Sequence, residues 1–179
     1  MLIFDIETDG LLYNVTTIHC LVIYDTETQE TMVFNDQSFA RASDKPATHP
    51  VVRGVQLLET ATTVCGHNII NYDLPVIRKL YPWFSLAGDC IDTLLLSRLY
   101  HPNMLEMDKK RNWDGMPLKL YGRHNLESYG HRLNEHKGDF GHTNDWSDWS
   151  QEMEDYCIQD VKLTTKLWNH FQPYLSGSK

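Results

Sequence analysis

Four acidic side chains in this sequence stand where a pair of divalent cations could hold them together. Asp5 and Glu7 belong to Asp5-Ile6-Glu7 at the end of an apolar run. Asp73 closes the stretch Gly66-His67-Asn68-Ile69-Ile70-Asn71-Tyr72-Asp73. Asp160 closes Tyr156-Cys157-Ile158-Gln159-Asp160. Like charges from three distant segments repel unless a cation lies between them, and two-metal hydrolysis of phosphodiesters uses such a cage.

Each element has a reading alone. In a strand, residues i and i+2 share a side, so Asp5 and Glu7 emerge from one face. Two surface acids at a strand end are the simpler interpretation of that tripeptide. Asp73, just beyond a strand and at the start of a helix, could serve as a helix cap. Tyr156 and Asp160, four residues apart, stack on one helix face. Asp160 interrupts an apolar stripe with no Lys or Arg at i±3 or i±4, which favours a metal ligand over a boundary acid.

These side chains need a scaffold. Residues 1–7 read as a buried strand followed by turn chemistry at Thr8-Asp9-Gly10. Residues 19–24 and 31–34 read as two further strands joined by a polar hairpin, giving three consecutive antiparallel strands. Residues 35–50 read as a loop and 51–60 as a helix. Residues 63–67 form a fourth strand, with a helix over 73–80 that ends before Pro82. Residues 89–92 suggest a fifth strand and lead into a helix over 94–100. Residues 101–123 read as irregular, 125–132 as a short helix, and the segment with Gly138 and Gly141 as a loop. The last helix is N-capped by Ser150 and runs to about Phe171, before Pro173. Trp149, Met153, Tyr156, Cys157, Asp160, Thr164, Leu167 and Phe171 share its inner face. The expected fold class is α/β: a mixed sheet of three antiparallel then two parallel strands, flanked by helices.

At 179 residues the chain is most simply one domain, with an ordered core over about 1–175. A hydrophobic share of 41% is that of a protein with a real core. No apolar run reaches the roughly 20 residues of a membrane span, and the start has no basic leader. Cys20, Cys65, Cys90 and Cys157 lie apart in apolar runs, which reads as buried free thiols in a reducing compartment. The sequon at Asn14 is taken as chance in that setting. A net charge of −8 argues against coating of duplex DNA but not against gripping a few nucleotides. Lys109, Lys110, Arg111, Lys119, Arg123, Arg132 and Lys137, with Trp113 and Tyr121 interleaved, could grip a single strand or form an ordinary solvated loop. The spacing of His131, His136 and His142, without thiolates, does not suit zinc.

Order, context and the tyrosine four residues before the last aspartate jointly resemble the DEDD superfamily of 3′→5′ exonucleases, in the branch with Tyr-x-x-x-Asp as third motif. The resemblance spans Met1 to about Leu175 and is nearest to the proofreading domains of family A phage replicative DNA polymerases. It also rests on Ile91-Asp92-Thr93-Leu94, Leu126-Glu127-x-Tyr129-Gly130 and Glu152-Met153-x-x-Tyr156-Cys157-x-x-Asp160-Val161. Bacterial members commonly have Asn-x-x-x-Asp in the second motif. Here one more residue separates Asn68 from Asp73, as in the phage branch.

The resemblance implies a ribonuclease H-like fold and two Mg2+ ions, with Mn2+ able to substitute. Asp5 would bridge both ions, Glu7 and Asp160 would complete the tighter site, and Asp73 would support the second. Tyr156 would orient the attacking water; a tyrosine pKa of about 10 makes it a poor base. Glu7, the backbone around Thr8, and Asn68 would contact substrate. Leu11 would be an apolar wedge against the last base, or simply a core residue. The implied substrate is a single-stranded DNA 3′ end, the implied partner a DNA polymerase supplied in trans or in a longer chain, and the implied setting the cytoplasm of a bacterial or phage-infected cell. An exoribonuclease of the same superfamily and a catalytically silent nucleic-acid-binding protein are the alternatives.

Overall fold

The computed structural model describes residues 1–37, 48–111, 113, 115–135 and 145–179. Its centre is strand β1 (Leu2–Thr8), whose alternation sorts the core. Leu2, Phe4 and Ile6 enter one hydrophobic cluster, while Ile3 enters another on the opposite face. Asp5 and Glu7 follow Ile3 in register and share its face.

β1 pairs antiparallel with β2 (Ile18–Asp25), which pairs antiparallel with β3 (Glu30–Asn35). On the other side β1 pairs parallel with β5 (Thr63–Gly66), and β5 with β6 (Asp89–Asp92). The expected five-strand mixed sheet is therefore present. A sixth strand, β4 (Thr48–His49), runs parallel to β3 at the edge, where a loop was expected over 35–50. Two residues are too few to carry a period-two pattern. Sheet order is β4-β3-β2-β1-β5-β6.

Helices α1 (Val51–Glu59) and α2 (Asp73–Leu80) bury Val55, Leu58, Val76 and Ile77 against the Leu2–Phe4–Ile6 side. The long helix α6 (Gln151–Leu175) covers the other side through Cys157 and Val161. Ser150 Oγ accepts from the Met153 amide as its N-cap, as expected. α6 does not stop before Pro173 but continues through it. The missing proline N–H removes one intrahelical bond close to an end, where helices fray in any case. Farther along α6, Leu163, Leu167 and Phe171 pack with Tyr129 in a third cluster. That cluster joins α3 (Thr93–Tyr100), α4 (Met104–Arg111) and α5 (Leu126–Arg132).

α4 is a correction, since 101–123 reads as irregular, and a 3-10 turn follows at Leu118–Leu120. Tertiary contacts hold this region. Asp108 is buried and accepts from Arg132 Nε (3.0 Å) and Nη2 (2.7 Å), the Gly122 amide (2.8 Å) and the Trp113 indole (2.9 Å). Cys20, Cys65 and Cys157 are buried free thiols as expected, but Cys90 is exposed because its strand is an edge. Pro46, Gly138 and Gly141 lie outside the described residues. No helix among the described residues is long and apolar enough to cross a membrane.

Candidate active site

The site lies at the carboxyl ends of the parallel strands β1 and β5, next to the point where strand direction changes. Open α/β sheets bind ligands at such crevices. A cleft of about 320 Å3 is lined there by Asp5, Glu7, Asn68, Asp73, Tyr156 and Asp160, and also by His67, Tyr72, Asn125, Leu126 and Trp146. The five residues expected to do chemistry thus come together from β1, α2 and α6. Within the cleft Asp5, Glu7 and Cys157 form a tight group, each offering a ligand atom within 4.8 Å of the others. Asp73 and Asp160 line the same cleft outside that tight group.

β5 delivers the second segment by close approach. A Cβ on Gly66 would fall 2.9 Å from the Phe4 carbonyl oxygen and 2.2 Å from the Ile69 side chain. Beyond it Asn68 takes a left-handed conformation with φ 66°, which asparagine tolerates. Asp92, at the end of β6, clamps this turn. Its carboxylate accepts from the amides of Asn68 (2.8 Å) and Ile70 (3.1 Å), while also capping α3 through Leu94 (2.9 Å). The Thr93 hydroxyl donates to the Gly66 carbonyl at 3.1 Å and meets His67 Nδ1 at 2.9 Å.

Asp73 is the first residue of α2, and Tyr72, not Asp73, stands at the cap position. Asp73 Oδ1 instead accepts the Ile6 amide at 3.3 Å. Burial pushes its pKa up to about 7, and the nearby Asp92 and Asp160 add to the rise, outweighing the amide bonds that oppose it. The charged form of Asp73 is therefore disfavoured in the protein alone, and a cation bound beside it would favour that form. Burial also holds the Cys157 thiol well above its ordinary pKa. Protonated Cys157 donates to the Asp5 carbonyl (3.5 Å) and carboxylate (3.7 Å). The donors left for a metal are carboxylate oxygens, which fit a hard cation such as Mg2+ or Mn2+.

A second cavity of about 340 Å3 adjoins the first, lined by Ile6, Glu7, Thr8, Gly10, Leu11, Tyr72 and Trp146. Leu11 is 61% exposed there, so it is not a core residue. Its loop is firmly held. Asp9 accepts from the Thr16 amide (2.9 Å), the Thr17 amide (3.0 Å) and the Thr16 hydroxyl. Burial works against the charged form of Asp9, but those bonds prevail and bring its pKa down to about 2. The Tyr72 hydroxyl donates to the Gly10 carbonyl and also meets the Thr8 hydroxyl.

The basic segment divides. Lys109, Lys110, Arg111, Lys119 and Arg123 are exposed, with Tyr121 half-buried. Arg132, expected among the phosphate contacts, is buried in its ion pair with Asp108 and is not offered to a ligand. Trp113 is likewise engaged, with the Arg111 guanidinium 4.3 Å above its ring. Lys137, His136 and His142 lie outside the described residues.

Sequence reasoning missed Tyr72, Asn125, Leu126 and Trp146. Asn125 caps α5 by accepting the Ser128 amide, which places the start of that helix at the cleft. Trp146, an aromatic in a polar stretch before a helix cap, was the legible signal among them.

Residues 2–172 match the family model of the RNase H superfamily. The chain is 34% identical to the DNA-directed DNA polymerases of Escherichia phage T7 and of Enterobacteria phage T3, in each case over 93% of this chain. It spans about a quarter of the length of those relatives, 26% in both. Among solved structures, Escherichia coli Exonuclease I in complex with a dT13 oligonucleotide matches with TM-score 0.52 and 20% identity, over 99% of this chain and 42% of that one. The EXO domain of Aedes aegypti Nibbler matches with TM-score 0.54 and 10% identity, over 96% and 80%. With its sheet order, its flanking helices and a match over nearly its whole length, the chain belongs to the RNase H superfamily.

Proposed function

We propose that this chain is a metal-dependent 3′→5′ exonuclease that shortens single-stranded DNA, or the frayed 3′ end of a primer, by one nucleotide at a time. One observation carries the reading: Asp5, Glu7, Asp73, Tyr156 and Asp160, from three separate stretches of sequence, line a single open cleft. Kinship with phage DNA polymerases supports DNA as the substrate and proofreading as the role, with a polymerase joined in the same chain or supplied in trans. The host cell cytoplasm is the setting that this kinship favours.

Asp5, Glu7 and Asp160 would hold one Mg2+ ion, and Asp5 with Asp73 a second. When bound, such ions would lower the pKa of a coordinated water and would stabilise the leaving 3′ oxygen; the product would be a nucleoside 5′-monophosphate. The chain's own groups supply position. The Tyr156 hydroxyl orients the attacking water without acting as its base. Glu7 and the backbone at Thr8 hold the terminal sugar, Leu11 presses on the last base, and Asn68 contacts the strand from the β5 side.

The test is digestion of a 5′-labelled oligodeoxynucleotide. A ladder shortened from the 3′ end, formed with Mg2+ or Mn2+ and abolished by chelator and by Asp5→Ala, is the expected result. Turnover of RNA alone would overturn the DNA assignment. Digestion indifferent to chelator, or to Asp5→Ala, would reject the site.

A further inference from the structure

The β1–β2 ladder has one irregularity, and it falls beside the cleft. Glu7 pairs with Cys20 but Thr8 pairs with Ile18, so His19 is the extra residue of a β-bulge. Its effect appears in the core each neighbour joins. Along β2, Val22 and Cys20 pack on the α6 face, while Ile23 and Leu21 pack on the α1 face. Unbroken alternation would send Ile18 to the α6 face and His19 away from it. Instead Ile18 lies in the α1 core. The buried His19 ring reaches the segment before α6, with Nε2 3.0 Å from the Trp146 carbonyl oxygen. A carbonyl only accepts, so Nε2 carries the proton.

Trp146 is the side chain common to the α6 side of both cavities. Its ring meets Tyr156 edge-on, with centroids 6.3 Å apart and planes at 78°. A second tether lies three residues on. The Trp149 indole donates to Glu154 at 3.3 Å, and Glu154 is itself buried and accepts from the Asn35 side-chain amide. The stretch 145–150 is thus fixed at both of its tryptophans.

We infer that His19 is a positioning residue: re-aimed by the bulge, it fixes Trp146 as the wall between the two cavities and, through Trp146, sets the Tyr156 ring. The inference rests on the nuclease reading above, in which Tyr156 orients water and Glu7, Thr8 and Leu11, all lining the second cavity, meet the terminal nucleotide.

Steady-state digestion of a single-stranded oligodeoxynucleotide with Mg2+ tests it. His19→Ala should raise KM and lower kcat, with a combined loss in kcat/KM of about tenfold. His19→Gln, whose side-chain amide donates at a similar reach, should restore most of both. His19→Ala combined with Trp146→Ala should be no worse than Trp146→Ala alone, because His19, bonded to the Trp146 backbone carbonyl, acts only through the ring that Trp146→Ala removes. A merely structural role would reduce the active fraction, hence kcat, and leave KM unchanged. An active wild type with an unchanged KM in His19→Ala, or additive losses in the double variant, would overturn the inference and leave the nuclease reading standing. An inactive wild type would sink that reading instead. An activity-free measurement then decides the positioning: the Trp146 indole NMR resonance, assigned by its loss in Trp146→Phe, should move in His19→Ala and return in His19→Gln. An unmoved resonance overturns it.

Discussion

The Ile6 amide, lying between Asp5 and Glu7, donates to Asp73 Oδ1 at 3.3 Å. One hydrogen bond thus ties the second acidic segment to the backbone of the first. Asp73→Asn keeps an acceptor for that amide and removes the charge. The variant should fold as well as the wild type without metal, because a buried charge repelled by Asp92 and Asp160 is gone. Exonuclease turnover should fall by about 100-fold or more. The gain in melting temperature on adding Mg2+ should also shrink. Melting curves with and without Mg2+, read beside digestion rates, check both halves.

Tyr156→Phe and Asp160→Ala separate orientation from charge. Tyr156→Phe removes only a hydroxyl and should lower kcat by roughly 10–1000-fold. Asp160→Ala should be more damaging and should raise the Mg2+ concentration needed for half-maximal rate. Equal, negligible effects in a titration of rate against Mg2+ would reject both roles.

Leu11 offers a contrast between binding and stability. Its side chain is 61% exposed, so Leu11→Ala should change folding stability by less than about 0.5 kcal/mol. If Leu11 presses on the terminal base, KM for a single-stranded oligonucleotide should rise with little change in kcat. Urea denaturation and initial rates on the same preparation supply the comparison.

The Asp108–Arg132 pair gives a stability prediction away from the cleft. The two side chains are 1% and 6% exposed, and the contact is 2.7 Å. Arg132→Leu should cost about 3–5 kcal/mol, since it leaves a buried carboxylate uncompensated. Burial opposes the charged form of Asp108, yet Arg132, the Gly122 amide and the Trp113 indole outweigh it and hold its pKa below the usual value. A depressed folded pKa means that the stabilisation is present above the ordinary carboxylate range and is lost as pH falls through the lowered value. Urea midpoints measured between pH 7 and pH 2.5 should therefore drop less steeply at the acid end for Asp108→Asn than for the wild type.

The sequence by itself determined which residues could share a face. Asp5 and Glu7 follow Ile3 at period two, and Tyr156 and Asp160 follow Met153 at helical spacing. Both periods are set by local backbone geometry. They were enough to set each of those pairs on a shared face and, with turn and cap residues, to locate five of the six strands. Only the tertiary structure decided the rest. α4 forms in a stretch that reads as irregular because buried Asp108 gathers donors from residues 113, 122 and 132. Arg132, basic in sequence and a candidate for phosphate, is consumed by that same carboxylate. The bulge at His19 slips one residue out of the ladder and turns its ring toward a tryptophan 127 positions away. These outcomes depend on contacts between residues far apart in the chain, and no local period encodes such contacts.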